Sequence, residues 1–171
     1  DDFFDKKINL GLDLQGGSYL LLEIDNAPVI EQKLQNLTTT IRNYFKDQNI
    51  KINNIKIEDE KIFFNVDDQS KQVVLDTFMD ENSDINPYYP RFKSHQLEIE
   101  DMGLNLKVNF STQGLISLKT SSQDQAIEIV RRRIDEVGTN EPNILKRGNN
   151  RILVELPGLD DPMRVKSLLG K

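Results

Sequence analysis

The chain has 171 residues and a formal net charge of -6 at pH 7, a length that allows one or two domains. It contains no cysteine and a single histidine, His95, so disulfides, thiolate metal sites and multi-histidine metal centres are excluded. The acidic balance disfavours nucleic acid as a partner, because phosphate binding normally needs a basic face. No apolar run approaches the roughly 18 residues that cross a bilayer. The chain begins with Asp1 rather than Met, and we interpret it as a segment of a longer protein.

The first regular elements are a predicted strand and a long amphipathic helix. Residues 18–25 read SYLLLEID, an apolar strand ended by Asp-Asn. Pro28 can occupy the first turn of the following helix. That helix carries apolar residues spaced by three and four, namely Ile30, Leu34, Leu37, Ile41 and Phe45. The spacing predicts that one face of the helix is buried.

A predicted hairpin, a second helix and another strand follow. Residues 50–57 and 62–66 alternate as two strands, and a slip in the spacing at 53–54 predicts a β-bulge. A helix is predicted over 70–80 with Val74, Leu75, Phe78 and Met79 inward. A further strand begins at Leu97.

The same order of elements then begins again. Residues 104–110 alternate as a strand, and 111–122 form a connection in which 115–118 is an alternative short strand. Ser122 and Gln125 have the spacing of a capping box. The predicted helix after them carries Ile127, Val130, Ile134 and Val137 inward and ends at Gly138. A hairpin turning at 148–150 and a helix starting at Asp161-Pro162 complete the chain.

This repeated order predicts an α+β fold class with two ferredoxin-like (split βαβ) units, each containing an antiparallel sheet. The predicted ranges are 1–17 for a linker with a Gly-rich motif, 18–101 for the first unit and 102–171 for the second. The second unit lacks its last strand within the chain. Either one edge of its sheet stays open or the strand at 18–25 fills the place.

Three segments carry a specific resemblance. They are 8–17 (INLGLDLQGG), 129–138 (IVRRRIDEVG) with the NEP at 140–142, and 151–158 (RILVELPG). In this order they resemble the SecD family of protein-export membrane proteins. The stretch 27–121 carries no matching motif and is similar in position to a variable insertion of the family.

The resemblance implies a location and a role. Proteins of the SecD family lie in the inner membrane with a large periplasmic domain, and with SecF they assist the SecYEG channel by using the proton gradient. This chain resembles the first part of that domain, the base rather than the proton-conducting membrane part. The resemblance implies no enzymatic activity and no cofactor, and it allows contact with exported unfolded polypeptide.

We predict structural roles for the motif residues and name no catalytic, metal-binding or cofactor-binding residue. The structural set is Gly11, Asp13, Gln15, Gly16, Gly17, Arg133, Glu141, Pro142, Glu155, Pro157 and Gly158. The Gly-rich segment lacks the Gly-Lys-Ser/Thr ending of a phosphate loop and precedes a strand instead of a helix. Glycines at 16 and 17 permit a left-handed turn or a close backbone approach, and the side chains at 13 and 15 can hold that turn by hydrogen bonds.

The charged residues favour a solvated surface over a reaction centre. Three arginines at 131–133 cannot share one helix face, because successive residues point about 100° apart. We predict a solvated face, with an ion pair from one arginine to Asp13 or Glu155 as the alternative. The carboxylates cluster in turns and at helix starts, where they cap or solvate, and not in a pocket suited to acid–base catalysis.

Two other functional classes share the predicted fold. An RNA-binding module would show a basic face and aromatic strand residues; the phenylalanines at 63, 64 and 110 are present but the charge is wrong. A small-ligand-binding regulatory domain remains an alternative, because fold alone does not determine function.

Overall fold

The structure, a computed structural model, describes residues 9–14 (as backbone), 19–136, 142–156, 167 and 169. Its strands are β1 (Asn9–Leu14), β2 (Tyr19–Asp25), β3 (Asn53–Glu58), β4 (Lys61–Asn65), β5 (Tyr88–Tyr89), β6 (Ser94–His95), β7 (Leu97–Asp101), β8 (Leu106–Phe110), β9 (Asn143–Arg147) and β10 (Arg151–Glu155). Its helices are α1 (Ala27–Asp47), α2 (Asp68–Met79) and α3 (Thr112–Asp135). The chain divides into two compact units. The terminal unit contains residues 1–29 and 118–171, and the inserted unit contains residues 30–117.

The terminal unit contains a four-stranded antiparallel sheet in the order β1-β2-β10-β9. Alternate residues of β2 and β10 are buried, and they pack with apolar residues of α3. This core consists of Leu20, Leu22, Ile24, Ala126, Ile129, Val130, Ile134, Ile152, Val154, Leu156 and Leu169. The strand predicted at 18–25 lies beside β10 in this sheet, whereas β8, the strand predicted to begin the second unit, pairs with β4 in the inserted unit.

The inserted unit contains a second antiparallel sheet in the order β3-β4-β8-β7. All five predicted stripe residues of α1 are buried, which confirms the amphipathic helix. The ring centroid of Phe45 on α1 lies 6.1 Å from the ring centroid of Phe78 on α2. The register of β3 shifts between Asn53 and Lys56, and Asn54 has a positive φ of 51°. The predicted bulge is therefore confirmed.

The fold class is α+β with antiparallel sheets, as predicted, but the split βαβ plan is not confirmed. Every strand pairing among the described residues is antiparallel, which agrees with the predicted antiparallel sheets but does not establish the split βαβ plan, because many antiparallel folds share this pairing. The compact units also group the strands differently from the predicted ranges. The boundary at 101–102 falls between β7 and β8, which pair with each other. Alternation identifies a strand but does not specify its partner.

The start of α3 differs from the prediction. The helix begins at Thr112, so the connection predicted over 111–122 and the capping box at Ser122 are wrong. The residue that caps the helix is Ser111, whose Oγ accepts a hydrogen bond from the Gly114 N–H at 2.9 Å. The same Oγ donates to the carbonyl of His95 at 2.6 Å. Tertiary contacts thus start the helix eleven residues earlier than the predicted capping box indicates.

Candidate functional site

The three motif segments meet in the terminal unit. The first supplies β1 and the third supplies β10, and these strands lie on the two sides of β2. The second supplies the last turns of α3, whose apolar residues join the core of the sheet. The three motif segments therefore lie in one compact unit.

Five of the predicted structural residues fall within the described part of the chain. Gly11 and Asp13 lie in β1, in register with Glu23 and Leu21 of β2 respectively. Arg133 lies in α3, and Pro142 and Glu155 lie at or near the β9–β10 hairpin. The others, at 15, 16, 17, 141, 157 and 158, lie outside the described residues, so their predicted roles stay predictions.

The arginine run on α3 divides by exposure, as the helical geometry predicts. Arg131 and Arg132 are exposed, whereas Arg133 is half-buried. The Nη1 of Arg133 donates a hydrogen bond to the carbonyl oxygen of Leu169 at 2.9 Å. A charged donor on a backbone carbonyl makes a strong, directional contact. Arg133 thus ties α3 to the C-terminal segment by a backbone contact that the sequence did not indicate.

A buried glutamine, which the sequence analysis missed, attaches α3 to the β9–β10 turn. Gln123 is only 2% exposed, and its Nε2 donates to the carbonyls of Gly148 at 3.0 Å and Arg151 at 2.8 Å. The Ile24 N–H donates to the carbonyl of Asn150 at 2.7 Å in the same turn. A signal was present, because position 123 lies three and seven residues before buried Ala126 and Val130.

The face of this sheet opposite α3 carries a row of leucines. Leu21 on β2 is in register with Leu153 on β10, which is in register with Leu145 on β9. Leu21 and Leu153 alternate with buried core residues, and Leu145 follows Ile144, which is partly buried against the core, so all three point away from α3. Leu145 is 51% exposed, and the other two are half-buried. We call Leu21, Leu153 and Leu145 the leucine row.

Polar residues border the leucine row on both sides. One neighbouring row contains Glu23, Arg151 and Arg147, and the other contains Tyr19, Glu155 and Asn143. An apolar strip with a polar rim is the arrangement found at protein–protein contacts.

The described residues offer no metal site, since no group of three or more His, Asp or Glu among them is placed to hold an ion. Within the same residues, none of the helices has the length and apolar character needed to cross a membrane.

Comparison with known proteins identifies the family. The family model described as "Protein translocase subunit SecDF, P1 domain, N-terminal" matches residues 123–171, and the "SecD/SecF GG Motif" matches residues 3–28. No solved structure gives a significant match.

Three relatives are each named protein translocase subunit SecD. The relative from Rickettsia bellii is 34% identical over 164 residues, which cover 96% of this chain and 30% of the relative. That from Calditerrivibrio nitroreducens is 32% identical, with 98% and 31% covered. That from Acetobacter pasteurianus is 33% identical, with 96% and 31% covered. The chain thus spans about 30% of the length of these relatives, and on this similarity it belongs to the SecD family of protein translocase subunits.

Proposed function

We propose that this chain is the non-enzymatic base of the periplasmic domain of a SecD subunit in the inner membrane. In this proposal the whole protein acts with SecF and the SecYEG channel to assist protein translocation, using the proton motive force. The match of residues 123–171 to the P1 domain of the translocase subunit supports the assignment. The chain would serve as a scaffold, with proton conduction left to membrane helices elsewhere in the protein.

The leucine row carries the mechanistic part of the proposal. It lies on a sheet whose other face is fixed by α3 and by the Gln123 contacts, so it presents apolar surface on a rigid support. We infer that a neighbouring domain of the translocase rests on this face, as on a seat, while other parts move. Contact with a second apolar surface would remove Leu145 from water, which is favourable at roughly 25 cal/mol per Å².

Substitution of Leu145 by aspartate in the full-length protein tests the seat. Because the side chain is exposed, Leu145→Asp should leave the melting temperature of the 171-residue chain nearly unchanged while it slows export of a secreted precursor. Leu104→Asp is the matched control, since Leu104 is 89% exposed and lies in the inserted unit. Normal export with Leu145→Asp, or equal defects in both variants, would contradict the seat.

Direct capture of exported polypeptide is the competing role. Extended chains can add a strand to an open sheet edge, and β9 lies at the edge of the terminal sheet. Fluorescence anisotropy with a labelled unfolded polypeptide separates the two roles. A passive seat predicts no saturable binding to the chain, whereas micromolar affinity would favour capture.

The location is tested by the parent gene. The proposal expects one hydrophobic helix encoded before this segment, and a further soluble stretch followed by several such helices after it. A parent without membrane helices would remove the translocase assignment.

A further inference from the structure

A cavity in the inserted unit combines positive charge with apolar walls. Its volume is about 440 Å³, within the range of small-molecule sites. The lining residues are Arg42, Lys46, Asn49, Ile50, Lys51 and Ile52. All lie outside the two segments, 3–28 and 123–171, that the family models match.

The end of α1 explains why three cations share this cavity. Asn49 has a left-handed φ of 60°, its N–H donates to the carbonyl of Lys46 at 3.0 Å, and the Ile50 N–H donates to the carbonyl of Phe45 at 2.8 Å. This pair of hydrogen bonds is the Schellman motif, which reverses the chain and brings Lys51 to the same cavity as Lys46. Arg42 lies one helical turn before Lys46 and so on the same face of α1.

The positive charge is not neutralised within the described part of the protein. Its ion pairs use the lysines at 56, 71, 107 and 146, and no described hydrogen bond or ion pair involves the side chains of Arg42, Lys46 or Lys51. Like charges one helical turn apart destabilise a helix slightly. The partial negative charge of a helix C-terminus, about half an elementary charge, offsets only a fraction of three cations. An anion would therefore be attracted to the cavity.

We propose that this cavity binds a phosphate monoester that carries a short apolar group. A phosphate dianion matches several converging cations better than a carboxylate does, and the guanidinium of Arg42 suits two phosphate oxygens at once. Ile50 and Ile52 supply the apolar wall for the group attached to the ester oxygen. The ester is either a soluble metabolite or the headgroup of an anionic lipid, and both present the same chemistry.

Titration of the ¹⁵N-labelled 171-residue chain with hexyl phosphate, followed by NMR, tests the proposal. We expect saturable shifts of the amides at 49–52. The double variant Lys46→Gln/Lys51→Gln should weaken binding by at least ~10-fold, because two charge-assisted contacts are lost. Lys33→Gln is the matched control, since Lys33 lies on α1 about 20 Å from Lys46 along the helix axis at 1.5 Å per residue. The control should bind as the unsubstituted chain does.

Several results would overturn the site. They are no saturable shift, shifts scattered away from 49–52, or equal binding by the double variant, with circular dichroism confirming that the variants are folded. Inorganic phosphate should bind more weakly than hexyl phosphate, and equal affinity would overturn the apolar part of the proposal. Once hexyl phosphate binds, sedimentation with phosphatidic acid vesicles identifies the source. Cosedimentation that the double variant loses assigns a lipid headgroup, and no cosedimentation assigns a soluble ester.

Discussion

In the terminal unit, α3 and the sheet meet through apolar side chains, and the buried side chain of Gln123 attaches the helix to a turn. In the inserted unit, the irregular segment between α2 and β7 is instead held by side chains that bond to backbone. Asn86, 1% exposed, donates to the carbonyls of Phe78 at 2.7 Å and Leu97 at 3.0 Å, and accepts from the Leu97 N–H at 2.8 Å. We call the three hydrogen bonds of the Asn86 side chain the bracket. An apolar layer tolerates substitution of one apolar side chain by another of similar size, whereas substitution of Asn86 alone removes all three hydrogen bonds of the bracket.

The largest effect is expected at Gly114, where α3 begins in the inserted unit. A Cβ added there would lie 2.2 Å from the backbone oxygen of Gln96, and neither backbone can retreat without breaking the Ser111 N–H bond to the same oxygen. Gly114→Ala should cost roughly 3 kcal/mol or more, measured by urea unfolding. Gly103→Ala is the control, because no atom lies within 4 Å of its added Cβ. Its positive φ of 87° should cost about 1 kcal/mol. Equal losses would refute the clash.

A smaller but still large effect is expected at Asn86. Asn86→Ala leaves the carbonyls of Phe78 and Leu97 and the Leu97 N–H without their partner, at a cost of about 2–3 kcal/mol. Hydrogen exchange should show lost protection at Leu97. Asn82→Ala, at an exposed position whose described bond uses only its backbone N–H, should stay within about 0.5 kcal/mol of the unsubstituted chain. If both variants behave alike, the bracket does not stabilise this segment.

The matching substitution in the terminal unit should cost less. Gln123→Met keeps the volume and places an apolar group in an apolar layer, so only the two bonds to Gly148 and Arg151 are lost, at about 1–2 kcal/mol. Gln125→Met, on the same helix but at a side chain with no described hydrogen bond, should be nearly neutral. If Gln123→Met lowers the free energy of unfolding as much as Asn86→Ala does, the proposed difference between the two units in how they tolerate substitution is wrong.

The smallest effect concerns pH and the turn between β7 and β8. The Gly103 N–H donates to Asp101 at 2.9 Å, and this bond, followed by the contact with Lys71 at 3.0 Å, lowers the pKa of Asp101 below its ordinary value of 3.8. Because the folded pKa is depressed, the stabilisation is present above pH 3.8 and is lost as pH falls through the folded value. Asp101→Asn should slightly flatten acid unfolding below pH 3.8. An unchanged acid profile for Asp101→Asn would contradict the linkage.

The spacing of apolar residues predicted those elements that are specified by their own local sequence. The stripe of α1 and the bulge of β3 are local features of spacing, and both are confirmed. The core of α3 from Ile127 to Ile134 follows the same logic, although Ile127 is only partly buried. Among the motif residues, Arg133 could be identified as important, but its carbonyl partner belongs to Leu169, a distant segment.

The features that sequence reasoning missed depend on contacts between distant segments. The first turns of α3 contain Gly, Thr and Ser, which have low helix propensity, and they are helical because Ser111 and Gly114 fit against the backbone at His95 and Gln96. The pairing of β8 with β4 was missed for a similar reason, since one alternating strand fits many partners. The side-chain bracket at Asn86 has no periodicity at all.

The placement of β2 beside β10 has a consequence for how the chain acquires its structure. Leu22 and Ile152 are register partners, so the terminal sheet requires a loop that contains the whole inserted unit to close, and such long-range pairing is slow. When the inserted unit folds first, a rigid body replaces most of that flexible loop and lowers the entropy lost on closure. A nascent chain that has not yet reached β10 leaves one backbone edge of β2 unpaired, and its core residues Leu20 and Leu22 lack their β10 neighbours Val154 and Ile152. Premature termination in that interval would therefore yield an aggregation-prone β1–β2 hairpin attached to a folded inserted unit.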